Sequence, residues 1–263
     1  CMFSASYRHN AVSVPGTAVK ASERKIYREG SCLHQSEWLP ERNYASMGME
    51  VNYEKDSKER IPFEHYLELY RQADPEEIAQ RCALPYDPET GRFQVCLMGV
   101  TYMVSWPEYE IAHEQEDRIG YYPLETKANA RILLLRYLTE GGAAPSTGKF
   151  LTYREIPWGE VYFKQFQGRC LFRLAFGFGN KLEVFREIME RVGACPIKAG
   201  DAGYELEFLK GLRVQLILWE GDDEFPPSAQ ILFSDNFPVA FTQGEDMAVV
   251  GDVVNDMLKA LKG

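Results

Sequence analysis

Residues 204–219, YELEFLKGLRVQLILW, decide the fold that this sequence predicts. Apolar residues alternate with polar or charged ones from Tyr204 to Phe208 and from Leu212 to Leu218, on either side of Lys210-Gly211. A period of two is typical of strands with one buried face, and a short turn containing Gly between two such runs is typical of a hairpin. The sequence therefore predicts an antiparallel hairpin whose second strand leads directly into an acidic loop.

The flanking sequence predicts a second hairpin and several helices. Phe93 to Leu97 and Tyr102 to Trp106 alternate around Gly99, which indicates two more paired strands. Apolar residues at helical spacing predict helices over residues 63–70, 75 onward, 128–138, 161–176, 182–192 and 242–261. Asp74, Asn180 and Thr242 are the predicted N-caps of three of them. Hairpins separated by groups of helices, without a strict βαβ order, predict an α+β fold with an antiparallel sheet packed against amphipathic helices.

Composition limits the classes of function. The 263 residues are 45% hydrophobic, with a formal net charge of −10. A negative protein is poorly suited to neutralising phosphates, so we expect no nucleic acid partner. The apolar runs are far shorter than a membrane span, and no signal peptide pattern opens the chain. We therefore expect a cytoplasmic protein that does not bind membranes.

The beginning of the chain differs from the remainder. Residues 1–48 contain isolated hydrophobic residues without a sustained period, which predicts a poorly structured leader. Met47 and Met49 are both candidate start sites, which leaves open whether the leader is translated. Residues 49–263 are predicted to form a single α+β domain.

Known cofactor and catalytic motifs are absent from the sequence. The six cysteines are scattered, without the close spacing of a zinc or iron–sulfur motif, so the chain itself provides no cysteine cluster for an iron–sulfur centre. The segment from Gly142 to Lys149 has the wrong spacing for a phosphate-binding loop, and no nucleophile elbow is present. No catalytic residue is assigned, any cofactor is unknown, and the sequence favours a non-enzymatic function.

An acidic loop follows the predicted hairpin. Glu220, Asp222, Asp223 and Glu224 lie within five positions and are followed by Pro226-Pro227. Charges this close require a cation, an arginine or backbone N–H groups to compensate them. Three interpretations stay open: a structural turn, a ligand site or metal site that uses Asp222, Asp223 and Glu224, and a pair of catalytic carboxylates.

A polar and aromatic turn precedes the third group of helices. Arg154 is a candidate partner for a carboxylate, and Trp158 offers a flat surface beside Pro157 and Gly159. We expect this turn to face the acidic loop, with Arg154 paired to Asp223. Together with Trp219 and the four acidic residues, Arg154 and Trp158 form the candidate ligand site.

Several segments together resemble a family of bacteria and archaea that is defined only as a domain of unknown function, DUF3786. They are LLLRYL (133–138), TGKF (147–150), YREIP (153–157), Phe166, LAFG (174–177), GD (200–201), LWEGDDEFPP (218–227), ILF (231–233) and EDMAVVG (245–251). The resemblance covers about residues 63–261. Some relatives are joined to an iron–sulfur module, so the resemblance implies anaerobic redox or corrinoid-linked one-carbon metabolism, with an iron–sulfur or corrinoid protein as partner. This chain has no cysteine cluster before the domain, so any cluster belongs to the partner.

Three functions remain, and each predicts a different surface. A ligand-binding or accessory module predicts a broad exposed aromatic patch. A metal-assisted enzyme predicts a pocket into which at least two of the loop carboxylates point. A purely structural interaction domain predicts an acidic loop whose charges are satisfied by internal hydrogen bonds. We take the accessory module as the first hypothesis.

Overall fold

The computed structural model describes residues 56–114 and 119–262. The predicted leader, residues 1–48, lies outside the described residues. A π-helical turn, Asp56–Arg60, precedes the first α-helix. The α-helices are α1 Ile61–Gln72, α2 Pro75–Cys82, α3 Pro123–Thr126, α4 Ala128–Thr139, α5 Gly159–Phe166, α6 Phe172–Phe178, α7 Leu182–Arg191, α8 Phe237–Ala240 and α9 Gly244–Leu261. The strands are β1 Tyr86–Asp87, β2 Arg92–Leu97, β3 Val100–Ser105, β4 Ile111–His113, β5 Phe150–Thr152, β6 Cys195–Pro196, β7 Ala202–Leu209, β8 Leu212–Trp219 and β9 Ser228–Ser234.

The strands form one antiparallel sheet. Its order is β4-β3-β2-β7-β8-β9-β5, with β1 beside β2 and β6 beside β7. Both predicted hairpins are present, β2–β3 and β7–β8, and a single residue pair between Leu97 and Leu209 joins them. The α+β fold with a hairpin-built antiparallel sheet is therefore confirmed.

One face of the sheet carries the core. Val95, Tyr102, Leu206, Val214 and Phe233 are buried beneath the helices, as the period-two pattern requires. The other face is polar along its middle, where Glu205 Oε1 accepts a hydrogen bond from Arg213 (3.0 Å) and Glu205 Oε2 accepts one from Gln215 (3.1 Å). Helices therefore cover one side of the sheet. Within the described ranges, no helix combines the length and hydrophobicity that a membrane span needs.

Helix α9 is buried along most of its length and carries three buried polar residues. Asp246 forms an ion pair with Arg136 of α4. Asp252 pairs with Arg169, whose Nε lies 3.0 Å from its carboxylate. Asn255 donates to the carbonyl of Cys170 at 3.2 Å. Since a buried charge or amide is costly without a partner, these bonds define how α9 fits against its neighbours.

Arg169 and Cys170 belong to a π-helical turn, Gln167–Leu171, that joins α5 to α6. The single helix predicted over residues 161–176 is therefore two α-helices with a wider turn between them. Gly251 of α9 faces this turn, and a Cβ there would lie 2.6 Å from Cys170 Sγ. The wide turn and the glycine together allow α9 to approach closely.

Two predicted N-caps are wrong, although their helices are present. Helix α7 begins after Lys181 without a side-chain cap, and Glu183 pairs with Arg186 and forms no capping box with Asn180. Helix α9 begins after Gln243, not at Thr242, and also lacks a side-chain cap. By contrast, Asp74 does cap α2, accepting from the Glu76 N–H at 2.8 Å.

We predict that Gly251→Ala destabilises the protein while Gly177→Ala does not. The new Cβ at position 251 overlaps Cys170, which should lower the free energy of unfolding by about 1–3 kcal/mol. A Cβ at Gly177 would have no atom within 4 Å. Gly177→Ala should therefore raise the free energy of unfolding by up to about 1 kcal/mol, because alanine has the higher helix propensity. Urea unfolding followed by circular dichroism measures both changes. Cys170→Ala should recover part of the loss in the Gly251→Ala background, and strictly additive effects would contradict the contact.

Candidate functional site

A capping box holds Arg154 in a short 3₁₀ turn, Tyr153–Glu155, directly after β5. Glu155 Oε2 accepts from the Thr152 N–H at 2.7 Å and from the Thr152 hydroxyl at 2.9 Å. These bonds stabilise the ionised carboxylate, which lowers the pKa of Glu155. The turn therefore has a defined geometry at the end of the strand.

Tyr153 connects this turn to the helices. Its ring stacks on Phe166 of α5 with centroids 3.9 Å apart, and its hydroxyl donates to the Gly244 carbonyl at 2.7 Å. Burial raises its pKa, so the phenol stays protonated and acts as a donor. The turn that carries Arg154 is thus attached to α5 and to the beginning of α9.

The guanidinium of Arg154 lies on an aromatic ring at the protein surface. Its carbon is 3.9 Å from the centroid of Phe163, and its Nη1 is 3.6 Å from Glu160 Oε1. Glu160 lies in the first turn of α5. It is the acidic partner of Arg154, whereas the sequence had predicted Asp223. The Arg154 side chain is 55% exposed, so part of its guanidinium group stays accessible.

Arg154 and Trp219 border the same open cleft, which has a volume of about 310 Å³. The cleft lies between the end of β5 with its 3₁₀ turn, helix α5 with the π-helical turn that follows it, and strands β8 and β9. We refer to it as the edge cleft, and its lining residues are Thr152, Tyr153, Arg154, Phe163, Phe166, Leu171, Trp219, Ala229, Gln230 and Ile231. One cationic group over a mainly apolar wall suits a ligand with an apolar body and a carboxylate.

The acidic loop satisfies part of its own charge. Asp222 Oδ1 accepts from the Phe225 N–H at 2.7 Å and from the Glu224 N–H at 2.9 Å. The Asp222 N–H in turn donates to the Phe225 carbonyl at 2.9 Å. The two donors lower the pKa of Asp222 because they favour the carboxylate form. Backbone N–H groups therefore compensate the charge of the Asp222 carboxylate.

Glu220 lies on another part of the surface. Its N–H donates to Asp201 Oδ2 at 2.8 Å, and its side chain borders a shallow depression with Lys181, Arg186 and Asp201. Asp222, Asp223 and Glu224 line neither this depression nor the edge cleft. Within residues 56–114 and 119–262, no group of three or more His, Cys, Asp or Glu side chains is arranged to hold a metal ion.

Trp158 occupies an unusual backbone conformation. Its φ is 65°, in the left-handed region, while its side chain is 70% exposed. The next residue must be glycine, because a Cβ at Gly159 would lie 1.7 Å from the Tyr153 carbonyl oxygen. A bulky residue in this conformation is strained, and such strain is common at sites of function.

Trp158 is one of ten large apolar side chains that are exposed among the described residues. Seven of the ten large apolar side chains that are exposed among the described residues lie on the helical segment from residue 158 to 176 or on the segment from residue 219 to 225. We refer to these seven as the aromatic surface: Trp158, Val161, Tyr162, Phe172, Phe176, Trp219 and Phe225. Just beyond the ends of these two segments, Pro227 packs so closely on Gly179 that a Cβ at position 179 would lie 2.2 Å from the Pro227 Cβ.

Of the residues that line the edge cleft, the sequence identified Arg154 and Trp219 but not the apolar residues of its walls. Arg154 and Trp219 are brought together, whereas Trp158 lies beside Gly244, and Glu220, Asp222, Asp223 and Glu224 lie outside the cleft. The missed walls come from the Phe-rich helices and from β9. The only signals in the sequence were the frequency of Phe and the segment ILF, neither of which indicates a cleft.

A family model described as a domain of unknown function, DUF3786, matches residues 74–257. No curated protein and no solved structure matches the chain.

We predict that the pKa of Asp222 lies below its ordinary value of about 3.9. The ionised form stabilises the folded loop, so its contribution is complete above the ordinary pKa and is lost as pH falls through the lower folded value. Carbon NMR titration of the side chain measures the shift. Asp222→Asn keeps the acceptor oxygen and should preserve the amide protection of residues 224 and 225, whereas Asp222→Ala should remove it. Equal protection in both variants would contradict this role.

We also predict that Trp158→Gly stabilises the protein. Glycine adopts a φ of 65° without strain, which should raise the free energy of unfolding by up to about 1 kcal/mol. Trp158→Ala is the control, since it removes the same indole but keeps the strain. Chemical unfolding distinguishes the two variants, and a stability of Trp158→Gly at or below that of Trp158→Ala would contradict the prediction.

Proposed function

The chain belongs to the DUF3786 family, and we propose that it is a cytoplasmic accessory module that binds a partner protein through the edge cleft and the aromatic surface. The observation that carries this proposal is the concentration of exposed large apolar residues on two segments, residues 158–176 and 219–225, that also contribute lining residues to the edge cleft. Contiguous apolar surface in contact with water is costly, and large patches of this kind commonly mark interaction sites. Trp, Tyr and Arg are also the residues that contribute most often to binding energy at protein interfaces.

The residues that line the edge cleft favour a binding function over a catalytic one. Arg154 is stacked on Phe163 and partly neutralised by Glu160, so it can exchange one carboxylate partner for another. The described part of the cleft has no carboxylate pair and no histidine among its lining residues. A docking role requires only shape, apolar area and a directional polar contact.

The enzymatic alternative, in which Asp222, Asp223 and Glu224 hold a metal ion or act as catalytic carboxylates, has less support. It requires at least two of these side chains to converge on one pocket, and none of them lines either concave region described above. The purely structural alternative accounts for the hydrogen-bonded Asp222 carboxylate. It does not account for seven exposed large apolar side chains.

The class of partner follows from the family resemblance. An iron–sulfur or corrinoid protein of anaerobic one-carbon metabolism is the first class to test. In the described residues the cysteines are free and dispersed, at positions 82, 96, 170 and 195. The proposal assigns any metal cluster to the partner.

We predict that Trp219→Ala and Phe176→Asp abolish partner retention. The native protein and its variants would be purified anaerobically from the host, and native mass spectrometry would compare each retained mass with the denatured chain. Val239→Ala is the matched control, because Val239 is another exposed large apolar residue but lies on α8, outside the aromatic surface. A partner retained equally by all four proteins, or by none of them, would contradict the proposal.

A further inference from the structure

The edge cleft lies along a part of β9 that has a neighbouring strand on one side only. β5 pairs with Leu232, Phe233 and Ser234 and then turns away into the 3₁₀ turn. Residues 228–231 pair with β8 alone among the described residues. Four residues of a strand span about 13 Å, so this exposed edge is long enough for a short peptide segment.

The backbone of this edge is oriented for pairing. The Asp235 N–H donates to the Lys149 carbonyl at 3.0 Å, on the β5 side of β9. Backbone groups of a strand alternate between its two sides, so Phe233, Ile231 and Ala229 direct their N–H and C=O groups to that same side. At Ala229, β5 has already ended. The amide and carbonyl of Ala229 therefore point toward the edge cleft.

The walls of the cleft surround the edge from both faces. Ala229 and Ile231 alternate with Gln230 along β9, and all three line the cleft. Phe163, Phe166 and Leu171 cover one side of it and Trp219 the other side. A segment placed here would gain main-chain hydrogen bonds and would bury one side chain against the aromatic rings.

The charges at the two ends of the edge differ in sign. Arg154 lies in the turn where β5 leaves the sheet, and Asp222, Asp223 and Glu224 lie in the loop that leads into β9 through residues 225–227. A segment antiparallel to β9 would run from Arg154 toward the acidic loop. Charge complementarity then requires an acidic residue near its N-terminal end and Lys or Arg near its C-terminal end.

We infer that the edge cleft binds an extended segment of the partner protein, which adds as a strand antiparallel to β9 in line with β5. This inference rests on the proposed partner-binding function and specifies how that binding occurs. The segment has about four residues in contact with β9, an apolar side chain over Phe163 and Leu171, and the charge order acidic to basic. Pro226-Pro227 ends the edge, because proline has no N–H to continue the ladder.

The test begins with a displayed library of random 12-residue peptides, selected against the full chain. Selected peptides should share the charge order and should bind at least tenfold more weakly to Ala229→Pro, which lacks the N–H that faces the cleft. Ala229→Val is the control, since it keeps that N–H and should bind within about twofold of the native chain. Arg154→Glu should select peptides with Lys or Arg at the N-terminal end instead.

A scan of backbone N-methylation on one selected peptide gives a readout that does not depend on folding of a variant. Methylation should weaken binding at alternate amides only, because every second amide faces β9. An effect at every position or at none, or the absence of any enriched peptide, would overturn strand addition. If Trp219→Ala abolishes partner retention in the host while Ala229→Pro leaves it intact, the binding function stands and strand addition fails. If neither affects retention, both fail.

Discussion

The three buried polar residues of helix α9 hold the helical layer in the one arrangement that produces the edge cleft. Asp246 binds Arg136, Asp252 binds Arg169, and Asn255 donates to the Cys170 carbonyl. An apolar helix could rotate or slide along its neighbours at small cost, whereas moving these groups would leave a charge or an amide buried without a partner. The position of α5 and of the π-helical turn, and hence one wall of the cleft, depends on the bonds of Asp252 and Asn255.

The same helices expose apolar side chains on the opposite side. Phe166 and Leu174 are buried against the sheet and α9, while Phe172 and Phe176 lie at the surface with their rings 5.9 Å apart. Burial on one side keeps the helices in place without any contribution from the exposed rings. The exposed rings are therefore not part of the core that these helices form.

The acidic loop illustrates how the surroundings decide what a cluster of charges does. Asp222 closes a tight turn through two backbone N–H groups, and Asp201 accepts the N–H of Glu220. Pro227 packs against Gly179 and Gly221, which keeps the loop beside α6. Asp222 is thus bonded within its own turn while Glu220 borders a separate depression, so these two carboxylates do not converge on one site.

The sequence by itself determined the α+β class, both hairpins, the Asp74 cap and the longer helices α1, α2, α4, α7 and α9, because each depends on periodicity or on contacts within a few residues. It did not predict the short helices α3 and α8 or the π-helical turn between α5 and α6. It also identified Arg154 and Trp219 as candidate site residues. Only the tertiary structure decided that these two border one cleft, that Arg154 pairs with Glu160, and that α7 and α9 begin without side-chain caps. The sequence also did not predict strands β5 and β9. The three residues of β5 and the seven of β9 lie next to loops and show no clear alternation of apolar and polar side chains. The physical reason is that strand pairing, ion-pair choice and cleft walls depend on residues far apart in the chain, whose proximity no local pattern records.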